Sequence, residues 1–334
     1  MSRYSSPLIL CLSLLLFSSG CATAPTREVE PLTARELQAF FDDVQDARSF
    51  WLSQYESERG PVFRGGHRLH TDKYARLEFA LQHDLPAPSL GMQIRQTGDR
   101  PALIDTSSRV SWMEYGLAIN GGLIPIGPPP IRRWPEHVED SVPGFLSVAS
   151  NLRIGDLRMD AALFYVKGAH GPLEKLYREI DDLAAPVVLG CEFIRAFHFF
   201  QIDFYNRMVF LSTTNPYQPD EGRLIAEVPL QDYYGTIAVE GEMDGVSTPF
   251  LLDSLGSYAV ASSLDEGETV RQVSIGDLVL RNVAHTPMDQ LNLGDTDFPR
   301  IGLEILQNYV VTFDNRRRRI YFEKPVMETG GRGE

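Results

Sequence analysis

VVLGCEFIRAFHFFQIDFYNRMVFL (Val187–Leu211) and PRIGLEILQNYVVTFDNRRRRIYFE (Pro299–Glu323) are one pattern written twice. Each opens on a short run ending in a glycine, Gly190 or Gly302, with a glutamate two positions on, Glu192 or Glu304. Each then becomes an apolar run interrupted by an aspartate, Asp203 or, after a one-residue gap, Asp314. The repetition extends upstream. NLRIGDLRMDAALF (Asn151–Phe164) resembles QVSIGDLVLRNVAH (Gln272–His285), sharing Ile-Gly-Asp-Leu as a tight hairpin turn. Before these, GMQIRQTGDRPALIDTS (Gly91–Ser107) and TIAVEGEMDGVSTPFLLDS (Thr236–Ser254) both read as strand, turn, strand, then an aspartate and a hydroxyl residue. Three pieces recurring in one order mean a duplicated unit. Short runs broken by Gly, Pro and Asp make that unit β.

Asp105 and Asp253 close apolar strands at matching places in the two copies. An acid there is costly to bury unless something compensates for it, so the two are read as a pair. The ordered motifs resemble the retropepsin-like aspartic protease family, the bacterial relatives of retroviral proteases, over most of Leu77–Lys324. The resemblance implies an all-β fold: two tandem β-barrel lobes, residues 61–215 and 220–326, flanking a pseudo-twofold active cleft and preceded by an N-terminal helix. It implies that Asp105 and Asp253 are the catalytic pair, sharing one proton because both cannot readily ionise side by side. Thr106 and Ser254 would then hydrogen-bond across the lobe interface, and Gly190 and Gly302 would lie beneath the active loops. The family has glycine after the hydroxyl residue; here Ser107 and Leu255 take that place, Gly256 following one position late. A leucine fits poorly if the backbone there needs a positive φ.

The implied activity is an aspartic endopeptidase acting on peptides or proteins of the cell envelope, without metal or cofactor. With both lobes in one chain a monomer suffices. The alternative reading is an inactive pseudo-protease that binds peptides or envelope proteins in the same cleft.

The N-terminus reads as a targeting segment. Residues 1–20 carry one basic residue, Arg3, then an apolar run Leu8–Phe17 too short for a stable membrane helix. Ser18-Ser19-Gly20-Cys21 resembles the lipobox of bacterial lipoproteins, in which Cys21 would be lipidated. Ala22 as the next residue matches sorting to the outer membrane, the body facing the periplasm. Cys11 falls in the signal, so Cys191 is the one thiol left in the body, set among apolar residues as an inert core cysteine. The net charge of −14 argues against a nucleic-acid partner. The basic run Arg316–Arg319 reads as a solvated hairpin.

Residues 21–60 read as an anchor linker and an amphipathic helix from Pro31 to about Glu58, started by a Thr33/Glu36 capping box. Asn120–Gly144, glycine-rich at one end with three prolines inside, reads as a candidate lid, with simple packing the better reading for Tyr115, Trp134 and Phe145 than lining it. Pro172–Ala184 reads as a solvated helix, His67 and His70 as surface histidines, and 327–334 as a disordered tail.

Overall fold

The computed structural model describes residues 30–57, 60–69, 74–81, 86–127, 132–134, 142–174, 184–264, 269–291 and 298–326. The signal and Cys21, most of the Pro172–Ala184 segment, His70, the tail, and 128–131 and 135–141 of the Asn120–Gly144 excursion lie outside these residues. The chain is mostly β, with six strands closing into a barrel and a second large sheet.

The barrel runs in the order Leu152–Ile154, Ser89–Ile94, Arg100–Ile104, Val187–Leu189, Trp112–Met113 and Leu157–Lys167, and the last strand pairs back to the first. Its turns follow local chemistry. Gly155 has a φ of +54° between Ile154 and Leu157, which a side chain would resist. The same order of pairings recurs later, through Val270–Ile275, Thr236–Met243, Val246–Leu252, Arg300–Ile301 and Val260–Ser262. There the closing strand is interrupted at Ala284 into Leu278–Val283 and His285–Pro287. Gly276 makes the matching turn at φ +56°.

The hairpins Phe199–Asp203/Met208–Ser212 and Val310–Asp314/Arg319–Glu323 meet edge to edge, Phe199 opposite Asp314 and Asp203 opposite Val310. Asp203 and Asp314 shape these turns: the Asn206 N–H donates to Asp203 Oδ1 at 2.9 Å and the Arg317 N–H to Asp314 Oδ1 at 2.8 Å. Arg207 and Arg318 take the positive-φ position of each. Phe200, Ile202, Val311, Phe313 and Phe322 bury the underside of the resulting sheet in the main core.

The long N-terminal helix is a correction. Thr33 and Glu36 do form the capping box, but the helix spans only Ala34–Phe41. Gln45–Asp46 then pairs in parallel with Ile126–Gly127, a 3-10 turn covers Ala47–Phe50, and Ser53–Ser57 pairs with Gly60–Arg64 as a hairpin. The apolar spacing was helical in period only as far as Phe41, whose ring packs edge-on against Phe145 at 5.1 Å. Beyond it the chain turns, with Trp51 left-handed at φ 52° and 67% exposed.

The excursion is corrected in part too. Ile124–Gly127 and Arg132–Trp134 both pair with Val142–Ala149, so these parts are sheet. Phe145 is a core residue, and Tyr115 packs against Phe40. His67 is not a surface residue in character: its ring lies edge-on to Phe193, its Nδ1 accepts from the Leu163 N–H at 3.4 Å, and burial pulls it down to about 4, leaving it neutral at neutral pH. Among the described residues no helix is long and apolar enough to cross a membrane, and no three His, Cys, Asp or Glu gather as metal ligands.

Candidate active site

Each aspartate is placed by a parallel neighbour. The Asp105 N–H donates to Leu189 O at 2.9 Å and the Asp253 N–H to Ile301 O at 2.8 Å, continuing the strand pairs that precede them. Just beyond, Gly190 and Gly302 let a second segment of chain lie on each loop. A Cβ on Gly190 would come within 2.4 Å of Val110 O, and one on Gly302 within 2.2 Å of Tyr258 O. The following amides lock the layers: Cys191 N–H to Ser108 O at 2.8 Å, and Leu303 N–H to Gly256 O at 2.7 Å.

The two loops are tied to each other by a reciprocal exchange. The Thr106 hydroxyl donates to Leu252 O at 2.6 Å and accepts from the Ser254 N–H at 3.0 Å. The Ser254 hydroxyl donates to Ile104 O at 2.6 Å and accepts from the Thr106 N–H at 3.0 Å. All of this is buried. The residues just before each hydroxyl, Asp105 and Asp253, therefore sit on adjoining loops, both with no solvent exposure.

Thr106→Val would remove a donor and an acceptor at once, leaving Leu252 O and the Ser254 N–H without these bonds in a buried place. The expected loss is about 2–4 kcal/mol of unfolding free energy, read from denaturant titration, with Thr106→Ser much closer to wild type.

The carboxylates are held differently. Asp105 Oδ1 accepts from the Ser107 N–H at 3.0 Å, the Ser107 hydroxyl at 2.7 Å and the Ser108 N–H at 3.2 Å. Asp253 Oδ1 accepts from the Leu255 N–H at 3.2 Å, while Oδ2 takes the Tyr258 hydroxyl at 2.6 Å and lies 3.4 Å from Arg300 Nη1. The expectation that Leu255 would strain its loop is not met. Neither Ser107, Leu255 nor Gly256 has a positive φ. Leu255 still presents its N–H to the aspartate, while its side chain is buried with Trp112, Val110 and Tyr258.

Cys191 backs the site without joining it. Its thiol donates to Thr106 O at 3.2 Å and accepts from the Ile237 N–H at 3.3 Å. Burial pushes the thiol up to about 12, so it stays protonated at any ordinary pH. At pH 8 the native protein should leave Cys191 unlabelled by a maleimide over hours and label it within minutes once unfolded; rapid native labelling would contradict this packing.

Sequence reasoning had not singled out Tyr258 and Arg300. The signal was there for Arg300, which stands one residue before Ile301 where the first copy has Val188 before Leu189. It had given Glu192 no role beyond the repeat. That side chain accepts a hydrogen bond from the Ser111 N–H, while the Ser111 hydroxyl accepts from the Gly190 N–H at 2.9 Å, bracing the first loop.

No family model matches the chain, and no curated protein matches it.

Proposed function

We propose that the chain is a two-lobed, retropepsin-like aspartic endopeptidase, lobes 61–215 and 220–326, with Asp105 and Asp253 as its catalytic pair. The observation that carries this reading is the Thr106–Ser254 exchange. It ties an Asp-hydroxyl loop from each copy of the repeat to the other's backbone, which supports reading the two acids as a pair. Two acids at a shared centre cannot readily ionise together, so the pair shares one proton.

The chemistry then needs only these groups. The ionised carboxylate takes a proton from a bound water as the water oxygen bonds to the scissile carbonyl carbon. The protonated carboxyl gives its proton to the carbonyl oxygen, forming a neutral gem-diol. Its collapse breaks the C–N bond, returns a proton to one carboxylate and delivers the other to the leaving amine. The N-terminal sequence supports placing this activity in the bacterial envelope, on a lipoprotein anchored through Cys21 and facing the periplasm from the outer membrane. Peptide and protein substrates of that compartment follow, and a monomer suffices.

A second reading has its own observation. Asp253 already carries an arginine and a tyrosine on one oxygen, and both carboxylates are shielded from solvent. That suits a pseudo-protease binding an extended peptide without cutting it.

The two separate on incubation of the full-length protein with a diverse peptide library from acid to neutral pH. Cleavage that disappears in both Asp105→Asn and Asp253→Asn supports the peptidase. A folded wild type that binds peptides and cleaves none at any pH supports the pseudo-protease.

A further inference from the structure

Away from the paired aspartates, a polar cavity of about 320 Å³ opens where three distant parts of the chain meet. Tyr55, Arg64 and His67 reach it from the Ser53–Ser57/Gly60–Arg64 hairpin and the residues just after it. Glu192 and Arg195 come from the short helix Cys191–Ile194 and its end, and Asp232 from the Leu224–Tyr233 strand. The volume suits a small organic molecule.

The walls are set in advance. Arg195 donates to Gly235 O at 2.9 Å and to Thr236 O at 3.3 Å, and lies 3.4 Å from Asp232 Oδ2. Asp232 Oδ1 accepts from the Gly235 N–H at 2.9 Å, so both of its oxygens are engaged. Arg64 lies 3.7 Å from the same Oδ2 and donates through Nε to the Tyr55 hydroxyl at 3.1 Å. One carboxylate thus faces two guanidiniums. Glu192 accepts from the Ser111 N–H, which joins this wall to the back of the Asp105 loop.

What the cavity has to spare is donors. His67 is neutral, because burial pulls it down to about 4, and its Nδ1 accepts from the Leu163 N–H. The ring proton therefore sits on Nε2, and that buried N–H has no acceptor among the described residues. The Tyr55 hydroxyl accepts from Arg64, and among the described residues its own hydrogen goes to no acceptor. The terminal N–H groups of Arg64 stand beyond hydrogen-bond length from Asp232. A donor left unmatched in a buried place favours a ligand that brings an acceptor.

We propose that this cavity binds the carboxylate of a small organic acid or of a peptide C-terminus, held by Arg64, Tyr55 and the His67 Nε2–H. The guanidinium fork matches carboxylate and phosphate alike. Asp232 decides between them. Set between two arginines it leaves one positive charge over the three groups, which suits a singly charged carboxylate better than a doubly charged phosphate. Glu192 in the same wall adds to that preference. The site needs neither Asp105 nor Asp253, so it stands apart from the peptidase reading.

The test is calorimetric titration of the full-length protein at neutral pH with propionate, N-acetyl-Ala-Phe, the amide of that dipeptide, and inorganic phosphate. Saturable binding of the dipeptide acid and not of its amide supports a peptide terminus as the ligand. Binding of propionate as tightly as the dipeptide acid supports a small free acid. Arg64→Gln alters a side chain 68% exposed and should fold; it should weaken the binding about tenfold. His67→Phe should do the same, and Tyr55→Phe should weaken it less. The proposal is overturned if no probe binds, if the amide binds as well as the acid, or if phosphate binds more tightly than either carboxylate. Undiminished binding in folded Arg64→Gln and Tyr55→Phe would overturn it too, and these two variants decide the location if His67→Phe does not fold. Whether the protein cleaves peptides changes none of these outcomes.

Discussion

Asp105→Asn is expected to reduce peptide hydrolysis by about 10²–10⁴-fold at every pH, with little change in thermal stability. Asparagine keeps the size of the side chain and an oxygen to accept from the Ser107 and Ser108 N–H groups, so the loop geometry survives. What it loses is one of the two carboxyl groups, and the pair can then no longer act as acid and base together. Asp253→Asn is a different experiment. It should be as inactive, but it also removes the carboxylate that Arg300 faces in a site closed to water. Breaking a buried ion pair from one side costs up to about 3–5 kcal/mol, so this variant should melt well below the wild type. Kinetics on the library and calorimetry on the two proteins check both halves of the expectation. An Asp253→Asn melting temperature equal to the wild type's would mean that Arg300 contributes little to holding Asp253. Residual cleavage near the wild-type rate in Asp105→Asn would remove that residue from the chemistry altogether.

The repeat made much of this architecture legible. Ile-Gly-Asp-Leu appeared twice because the chain twice needs a left-handed residue at a tight turn, at Gly155 and Gly276. Asp203 and Asp314 recurred because each caps a hairpin with its own side chain. Such signals are local and survive in a linear reading. The N-terminal helix misled because Leu37, Phe40 and Phe41 set a true helical period that later apolar residues continued by coincidence. The capping box marked the start, but nothing as strong marked the stop at Asp42. Leu255 misled in the opposite way. A missing glycine suggested strain, yet the backbone at that position is ordinary and the side chain fills core space beside Trp112 and Val110. Arg300 was hidden by its surroundings, since an arginine between Pro299 and Ile301 reads as a surface residue until its carboxylate partner, 47 positions earlier in the chain, is known. The duplication exposes such a residue only when the copies are compared for their differences as well as their likeness.

The glycines beneath the loops carry a large expected loss of stability for the addition of a single methyl group. Gly302→Ala would place its Cβ 2.2 Å from Tyr258 O, 2.6 Å from Tyr258 Cδ2 and 2.8 Å from Gly256 O. Gly190→Ala would place it 2.4 Å from Val110 O, 2.5 Å from Val110 C and 2.9 Å from Val110 N. Most of these are backbone atoms, which cannot rotate aside as a side chain would. Each variant must therefore push two layers of chain apart, against the Cys191 to Ser108 or Leu303 to Gly256 bond that clamps them. Overpacking typically costs about 1–3 kcal/mol, and backbone obstruction in both loops places these two at or above the top of that range. Gly91→Ala is the internal control. It lies in the Ser89–Ile94 strand, where a Cβ meets nothing within 4 Å, and it should stay within about 0.5 kcal/mol of wild type. The two site glycines should also differ in kind. Displacing Tyr258 to make room at position 302 draws its hydroxyl away from Asp253 Oδ2, so Gly302→Ala should also lower peptide hydrolysis where it remains folded. Gly190→Ala meets Val110, which has no such hydroxyl to move, and should destabilise without that signature. Denaturation midpoints for the three variants decide the packing, and the residual hydrolysis of folded Gly302→Ala against that of Gly190→Ala decides whether the glycine layer and the Tyr258 hold on Asp253 are mechanically joined.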